Sequence, residues 1–160
     1  MVVMFPNCSF KCEIEAGCKM CQNSELVKSK NITVSTQRII DRFTNNAISK
    51  ALVLSGLEPF DSYEDMIKLI QDFREHCDNT IVIYSGYTKD ELSDRIPILH
   101  DLGNVVIKYG RYIPNQSRHF DDCLGVYLAS DNQYAEKVWG GNKWKISSVV
   151  VTGASTWKLN

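Results

Sequence analysis

The chain contains no apolar run approaching the roughly 20 residues of a membrane-spanning helix, no block of like charge, no internal repeat and no low-complexity tract. Each absence removes a class of function. With 18 basic and 19 acidic residues, a formal net charge of −1 provides no broad field for holding nucleic acid or a membrane surface. The opening Met-Val-Val-Met-Phe-Pro has no basic segment, no long apolar stretch and no small-residue cleavage site, so it does not read as a secretory signal. The expected setting is cytoplasmic, where thiols stay reduced and available to metals rather than paired as disulfides. The 3 histidines, His76, His100 and His119, lack metal-ligand spacing and read as surface or supporting residues.

What is present is an apolar fraction of 44% in 160 residues, enough to bury a core without covalent staples, and residues 1–160 read as a single domain. Of the 6 cysteines, Cys8, Cys12, Cys18 and Cys21 crowd into the run FPNCSFKCEIEAGCKMCQN. Short loops between thiolates limit the entropy lost when a shared site closes, so this run points to a soft metal or an iron–sulfur cluster. Four thiolates would enclose zinc tetrahedrally in a structural module. Three would leave one iron of a [4Fe-4S] cluster open to a ligand. Spacing alone does not choose between them. Cys77 and Cys123 stand apart and read as small buried hydrophobes.

Apolar runs at Val2 to Phe5, Ala51 to Leu54, Ile81 to Tyr84 and Val105 to Lys108 predict strands. Between them, Ile39, Ile40 and Phe43 predict a helix entered through Thr33 or Ser35, and Met66, Ile67, Leu69, Ile70 and Phe73 predict a second, capped by Ser62. A third helical stretch, Lys89 to Leu102, is interrupted by Pro97. Strands alternating with helices predict an α/β fold built on mostly parallel strands. Ile113 to Asp122 reads as loop, Leu124 to Leu128 as a further strand, Ser130 to Gln133 as a turn, and Trp144 to Thr152 as an antiparallel C-terminal β extension. The cysteine run, Gly56-Leu57-Glu58-Pro59 and Ser85-Gly86-Tyr87 each follow a strand, so they are expected to converge on one edge of the sheet.

An N-terminal strand leading into Cys8-x3-Cys12, then Cys21-Gln22-Asn23, Gly56-Leu57-Glu58-Pro59, Ser85-Gly86-Tyr87 and Asp131-Asn132-Gln133 follow one another in an order that resembles the radical S-adenosylmethionine (SAM) family. More closely, it resembles the small activating proteins of anaerobic ribonucleotide reductase. The resemblance runs over about residues 2 to 135. It implies an open partial β/α barrel of the radical SAM type and an oxidoreductase that cleaves SAM reductively at a [4Fe-4S] cluster. It further implies activation of a partner glycyl radical enzyme, with flavodoxin or ferredoxin as electron donor and no nucleic-acid or membrane partner.

On the same resemblance, Cys8, Cys12 and Cys21 would ligate the cluster, with Cys18 as the alternative to Cys12, because Glu13 to Met20 is an insertion relative to Cys-x3-Cys-x2-Cys. Gly56, Glu58, Ser85 and Asn132 would bind SAM: Glu58 its ammonium, Gly56 by close backbone approach, Ser85 its ribose. Leu57 stands where the family carries a second glycine, and Tyr109 where an aspartate is usual beside Lys108, Gly110 and Arg111. No counterpart of the activators' Asp-Gly-x-Gly-x-Arg segment precedes Cys8, which leaves open a partner other than anaerobic ribonucleotide reductase, or another substrate.

Overall fold

The computed structural model describes residues 1–138 and, beyond them, the backbone of the short strand Thr156–Trp157. The apolar run at the N-terminus forms β1 (Val2–Phe5), and the cysteine segment that follows holds two short helices, α1 (Lys11–Ala16) and α2 (Ser24–Val27). After β2 (Ile32–Thr33) comes α3 (Thr36–Thr44), capped by Ser35, whose hydroxyl accepts the Arg38 N–H. There follow β3 (Ala51–Gly56), α4 (Tyr63–Arg74), β4 (Thr80–Tyr84), α5 (Ile96–Leu102) and β5 (Val105–Tyr109). A hairpin of β6 (His119–Asp121) and β7 (Val126–Leu128) precedes β8 (Tyr134–Val138), and β9 (Thr156–Trp157) pairs antiparallel with β2.

The main sheet has the order β1-β3-β4-β5-β8, parallel throughout except for β8, which runs antiparallel to β5. Alternation along each strand divides the sheet into two faces. Val3, Phe5, Leu52, Leu54, Ile81, Ile83, Ile107 and Tyr109 lie on one face and are buried in a common core with the apolar stripes of α3, α4 and α5. Phe43 of α3 meets Phe73 of α4 edge to face at 4.9 Å between ring centroids. The other face carries Met4, Ser55, Tyr84 and Lys108, which fall side by side because Met4 pairs with Ser55 and Tyr84 with Lys108. Among the described residues no helix is long and apolar enough to cross a membrane.

Local expectations shift in instructive ways. Ser62 precedes α4 but makes no cap; its Oγ accepts the Asn7 amide at 3.0 Å, tying the start of the cysteine segment to this turn. Pro97 does not interrupt a helix but lies in the first turn of α5, where its missing N–H costs no hydrogen bond, while Asp90–Leu92 forms a separate 3₁₀ turn. The segment expected as loop contains β6, and the strand expected from Leu124 begins only at Val126, because Gly125 turns at φ +69°. β8 is polar in composition and becomes a strand because it lies along the edge of β5. The expected extension at Trp144 to Thr152 lies outside the described residues.

Candidate functional site

A cavity of about 300 Å³ opens where the parallel strands end, on the face of Ser55, Tyr84 and Lys108. Cys8, Cys12 and Cys21 line it together with Gly56, Glu58, Ser85 and Gly86. Cys18 is exposed and is not among the lining residues. Parallel connectivity accounts for the gathering: the chain leaves each strand at the same edge, so the segment after β1, the turn after β3 and the turn after β4 meet there.

The cysteine segment takes its shape from a few polar ties. Phe10 sits at φ 53°, a left-handed conformation uncommon for a bulky side chain, and its carbonyl accepts the N–H groups of Glu13 and Ile14 to start α1. The Phe10 N–H points back to Cys8 Sγ at 3.2 Å. Gly17, at φ 64°, ends α1, and the Glu13 carboxylate accepts the N–H groups of Met20 at 3.1 Å and Cys21 at 3.0 Å. Glu13 therefore pinches the insertion shut at its base, so that Cys12 and Cys21 border one cavity while Cys18 stays on the outer loop. Asn23 donates its side-chain amide to the Gly56 carbonyl at 2.9 Å, tying the far end of the segment to the end of β3.

Ion pairs fasten the same segment to the opposite side. Arg111 bonds both Glu91 oxygens at 2.8 and 2.7 Å and stands 3.2 Å from Glu15 of α1, while Lys11 reaches Glu91 at 3.2 Å. Lys11 also lies over the Tyr87 ring, 4.4 Å from its centroid. The Tyr87 hydroxyl donates to Asp61, which in turn accepts the Ser9 N–H.

Glu58 is buried, and its carboxylate accepts three hydrogen bonds: Oε1 from the Phe60 N–H at 3.1 Å and the Ser85 hydroxyl at 3.0 Å, and Oε2 from the Gly86 N–H at 2.8 Å. Burial pushes its carboxyl up to about 7 despite those three bonds. A cation beside it would favour the ionised form. Ser85 is likewise committed within the protein, donating to Glu58 and accepting the Tyr87 N–H at 3.0 Å, so that it orients the carboxylate. At Gly56, φ is +103° and a Cβ would lie 2.5 Å from the Phe5 backbone nitrogen, so the close backbone approach at this residue is to β1.

Asn132 is not among the lining residues; its side chain donates to the Arg111 carbonyl at 2.9 Å, and its backbone packs against Gly110, at φ +93°. Its neighbour Gln133 does line the cavity and donates to the Gly110 carbonyl at 3.1 Å. Lys108, treated in the sequence only as a neighbour of the substituted Tyr109, also lines the cavity and is buried. The signal for it was there: a lysine inside the otherwise apolar strand Val105 to Tyr109 has to be buried for a reason.

The donor set fits a [4Fe-4S] cluster. Burial pushes the Cys8 thiol up to about 11 and raises that of Cys12 as well, and the positive charge of iron would replace the protons these thiols hold. Among the described residues no three His, Cys, Asp or Glu side chains converge as ligands to a single metal ion. A cluster joins each thiolate to a different iron and so takes thiols spaced around a shared space. Cys8, Cys12 and Cys21 border such a space. The Glu13→Ala variant is expected to lose a reconstituted cluster to a chelator several-fold faster than the unaltered protein, because Cys21 loses its tether; visible absorbance followed over time measures this. Decay at the unaltered rate would show that Glu13 does not hold the loop.

No curated protein and no solved structure matches the chain. A family model described as 4Fe-4S single cluster domain matches residues 1–133, a span that includes the four crowded cysteines, Glu58, Ser85, Lys108 and Gln133. The chain is an iron–sulfur protein that belongs to the 4Fe-4S single cluster domain family.

Proposed function

We propose that the chain is a radical SAM enzyme, with Cys8, Cys12 and Cys21 holding a [4Fe-4S] cluster and the adjoining cavity taking SAM. The observation that carries this reading is the joint presence, around one cavity of about 300 Å³, of three thiols and a buried carboxylate, with the fourth crowded thiol outside. The four-thiolate zinc site would need Cys18 beside the others, and Cys18 is exposed and outside the cavity. When bound, the cluster would supply the electron that cleaves the SAM sulfonium to methionine and a 5′-deoxyadenosyl radical.

The protein's own part is to bind, orient and exclude water. Glu58, held by three donors, has a lone-pair position left on Oε2 for a ligand ammonium. Gly56, tied to Asn23 through its carbonyl, keeps the cysteine segment and the turn carrying Glu58 at a set separation. On the same reading the sheet is an open partial barrel whose inner side is the face of Met4, Ser55, Tyr84 and Lys108. The hydrogen donor would be a glycine of a partner glycyl radical enzyme, and a flavodoxin or ferredoxin would supply electrons.

The test is direct. Protein reconstituted with iron and sulfide without oxygen, reduced and mixed with SAM, is expected to yield 5′-deoxyadenosine and methionine in equal amounts. A cluster whose spectrum ignores SAM, with neither product formed, would remove the proposal.

A further inference from the structure

Cys8 is bracketed by the turn that follows β3. On one side the Asn7 carbonyl accepts the Glu58 N–H at 2.9 Å, and the Asn7 side chain donates to Ser62 at 3.0 Å. On the other side the Ser9 N–H donates to Asp61, which sits in the short 3₁₀ turn Pro59–Ser62. The second Asp61 oxygen accepts the Tyr87 hydroxyl. These bonds satisfy the carboxylate with neutral donors. Among the described residues no ammonium or guanidinium forms an ion pair with Asp61, and Lys11, which lies over the Tyr87 ring, is engaged by Glu91 at 3.2 Å.

The arrangement acts on Cys8 in two ways. The amide that follows a ligating cysteine is well placed to donate to sulfur, and here Asp61 takes it, leaving only the Phe10 N–H on Cys8 Sγ at 3.2 Å. A negative charge also stands one peptide group away from Cys8. The free thiol responds in the matching direction: after burial, the charges of Glu58 and Asp61 both favour its protonated, neutral form. Asp61 is not among the residues lining the cavity, so contact with a ligand there does not account for it.

Adding an electron to an iron–sulfur cluster adds negative charge, which hydrogen bonds to its sulfurs favour and neighbouring anions oppose. We infer that Asp61 holds the reduction potential of the cluster low, acting through Cys8 by its fixed charge and by taking up the Ser9 N–H. It is a positioning residue rather than a ligand. The inference rests on Cys8 as a cluster ligand and is independent of SAM binding, although a low potential makes the reduced cluster the stronger electron donor that sulfonium cleavage requires.

Potentiometric titration of the anaerobically reconstituted full chain, without SAM, tests this by the paramagnetic signal of the reduced cluster. Asp61→Asn removes the charge and keeps an acceptor for the Ser9 N–H. Its reduced-to-oxidised ratio at a fixed potential is expected to rise about tenfold, the scale on which one neighbouring charge shifts a proton equilibrium, which is about 59 mV for one electron. Asp61→Ser is expected to show the same upward shift where the asparagine variant does not take up iron. Asp61→Glu keeps the charge, and its midpoint is expected to stay near that of the unaltered protein. An unchanged or lower midpoint in an iron-loaded neutral variant, or an equal rise in Asp61→Glu, would overturn the inference. Loss of iron from both neutral variants would do so too, making Asp61 a tie for the cysteine segment. Full iron retention in Cys8→Ala would overturn the ligand assignment together with the inference.

Discussion

Replacing Cys8, Cys12 or Cys21 with alanine is expected to take bound iron from about four atoms per chain to near zero after reconstitution, because each thiolate holds a separate iron of the cluster. Cys18→Ala is expected to leave iron content and visible absorbance unchanged. The contrast follows from the path of the chain. Cys12 lies in α1 beside the cavity, whereas Gly17 ends that helix and Cys18 begins the exposed return to Met20. Glu13 closes the return by bonding the N–H groups of Met20 and Cys21, so the chain reaches the cavity again only at Cys21. Iron and sulfide assays on the four single variants separate the cases. Loss of iron in Cys18→Ala with retention in Cys12→Ala would exchange their roles, and loss in all four would favour a four-thiolate site.

Glu58→Gln is expected to weaken SAM binding by about 10- to 100-fold while iron content stays at the unaltered level, since the substitution removes a charge facing a ligand ammonium. It also has a folding consequence. The amide can still accept at one oxygen, but its NH₂ group would confront either the Gly86 N–H or the donors Phe60 and Ser85, leaving a donor unmatched at a cost of about 1–3 kcal/mol. Thermal unfolding of the cluster-free chain, compared with SAM titration of the loaded chain, keeps the two effects apart. A variant that is less stable yet binds SAM as before would make Glu58 a loop latch and nothing more.

The two expectations differ in how far they were legible beforehand. Cys8, Cys12 and Cys21 could be named through the family resemblance carried by the order of the motifs, but the placing of Cys12 at the cavity and Cys18 outside it turns on Gly17 and Glu13, which act through backbone conformation and a contact across the insertion. Glu58 could be named because Gly-Leu-Glu-Pro after a strand resembles a motif of the radical SAM family. That Ser85 serves Glu58 rather than standing free, and that Gly56 makes room for Phe5, required knowing which strands are neighbours. Asn132 shows the limit most clearly: a turn cluster places its backbone, but the side chain faces the Arg111 carbonyl and Gln133 takes the cavity position.

The sequence by itself determined the alternation of strands and helices, the cysteine segment after the first strand and the edge where the turns meet, because apolar periodicity and turn residues act over a few neighbouring positions. Tertiary structure alone decided which thiol stays outside, made the polar Tyr134–Val138 segment a strand against β5, and buried Lys108 with no carboxylate within ion-pair distance among the described residues. Those outcomes depend on pairings between residues far apart in the chain. A local pattern carries no record of what a buried charge will face, and that is settled only when the strands assemble.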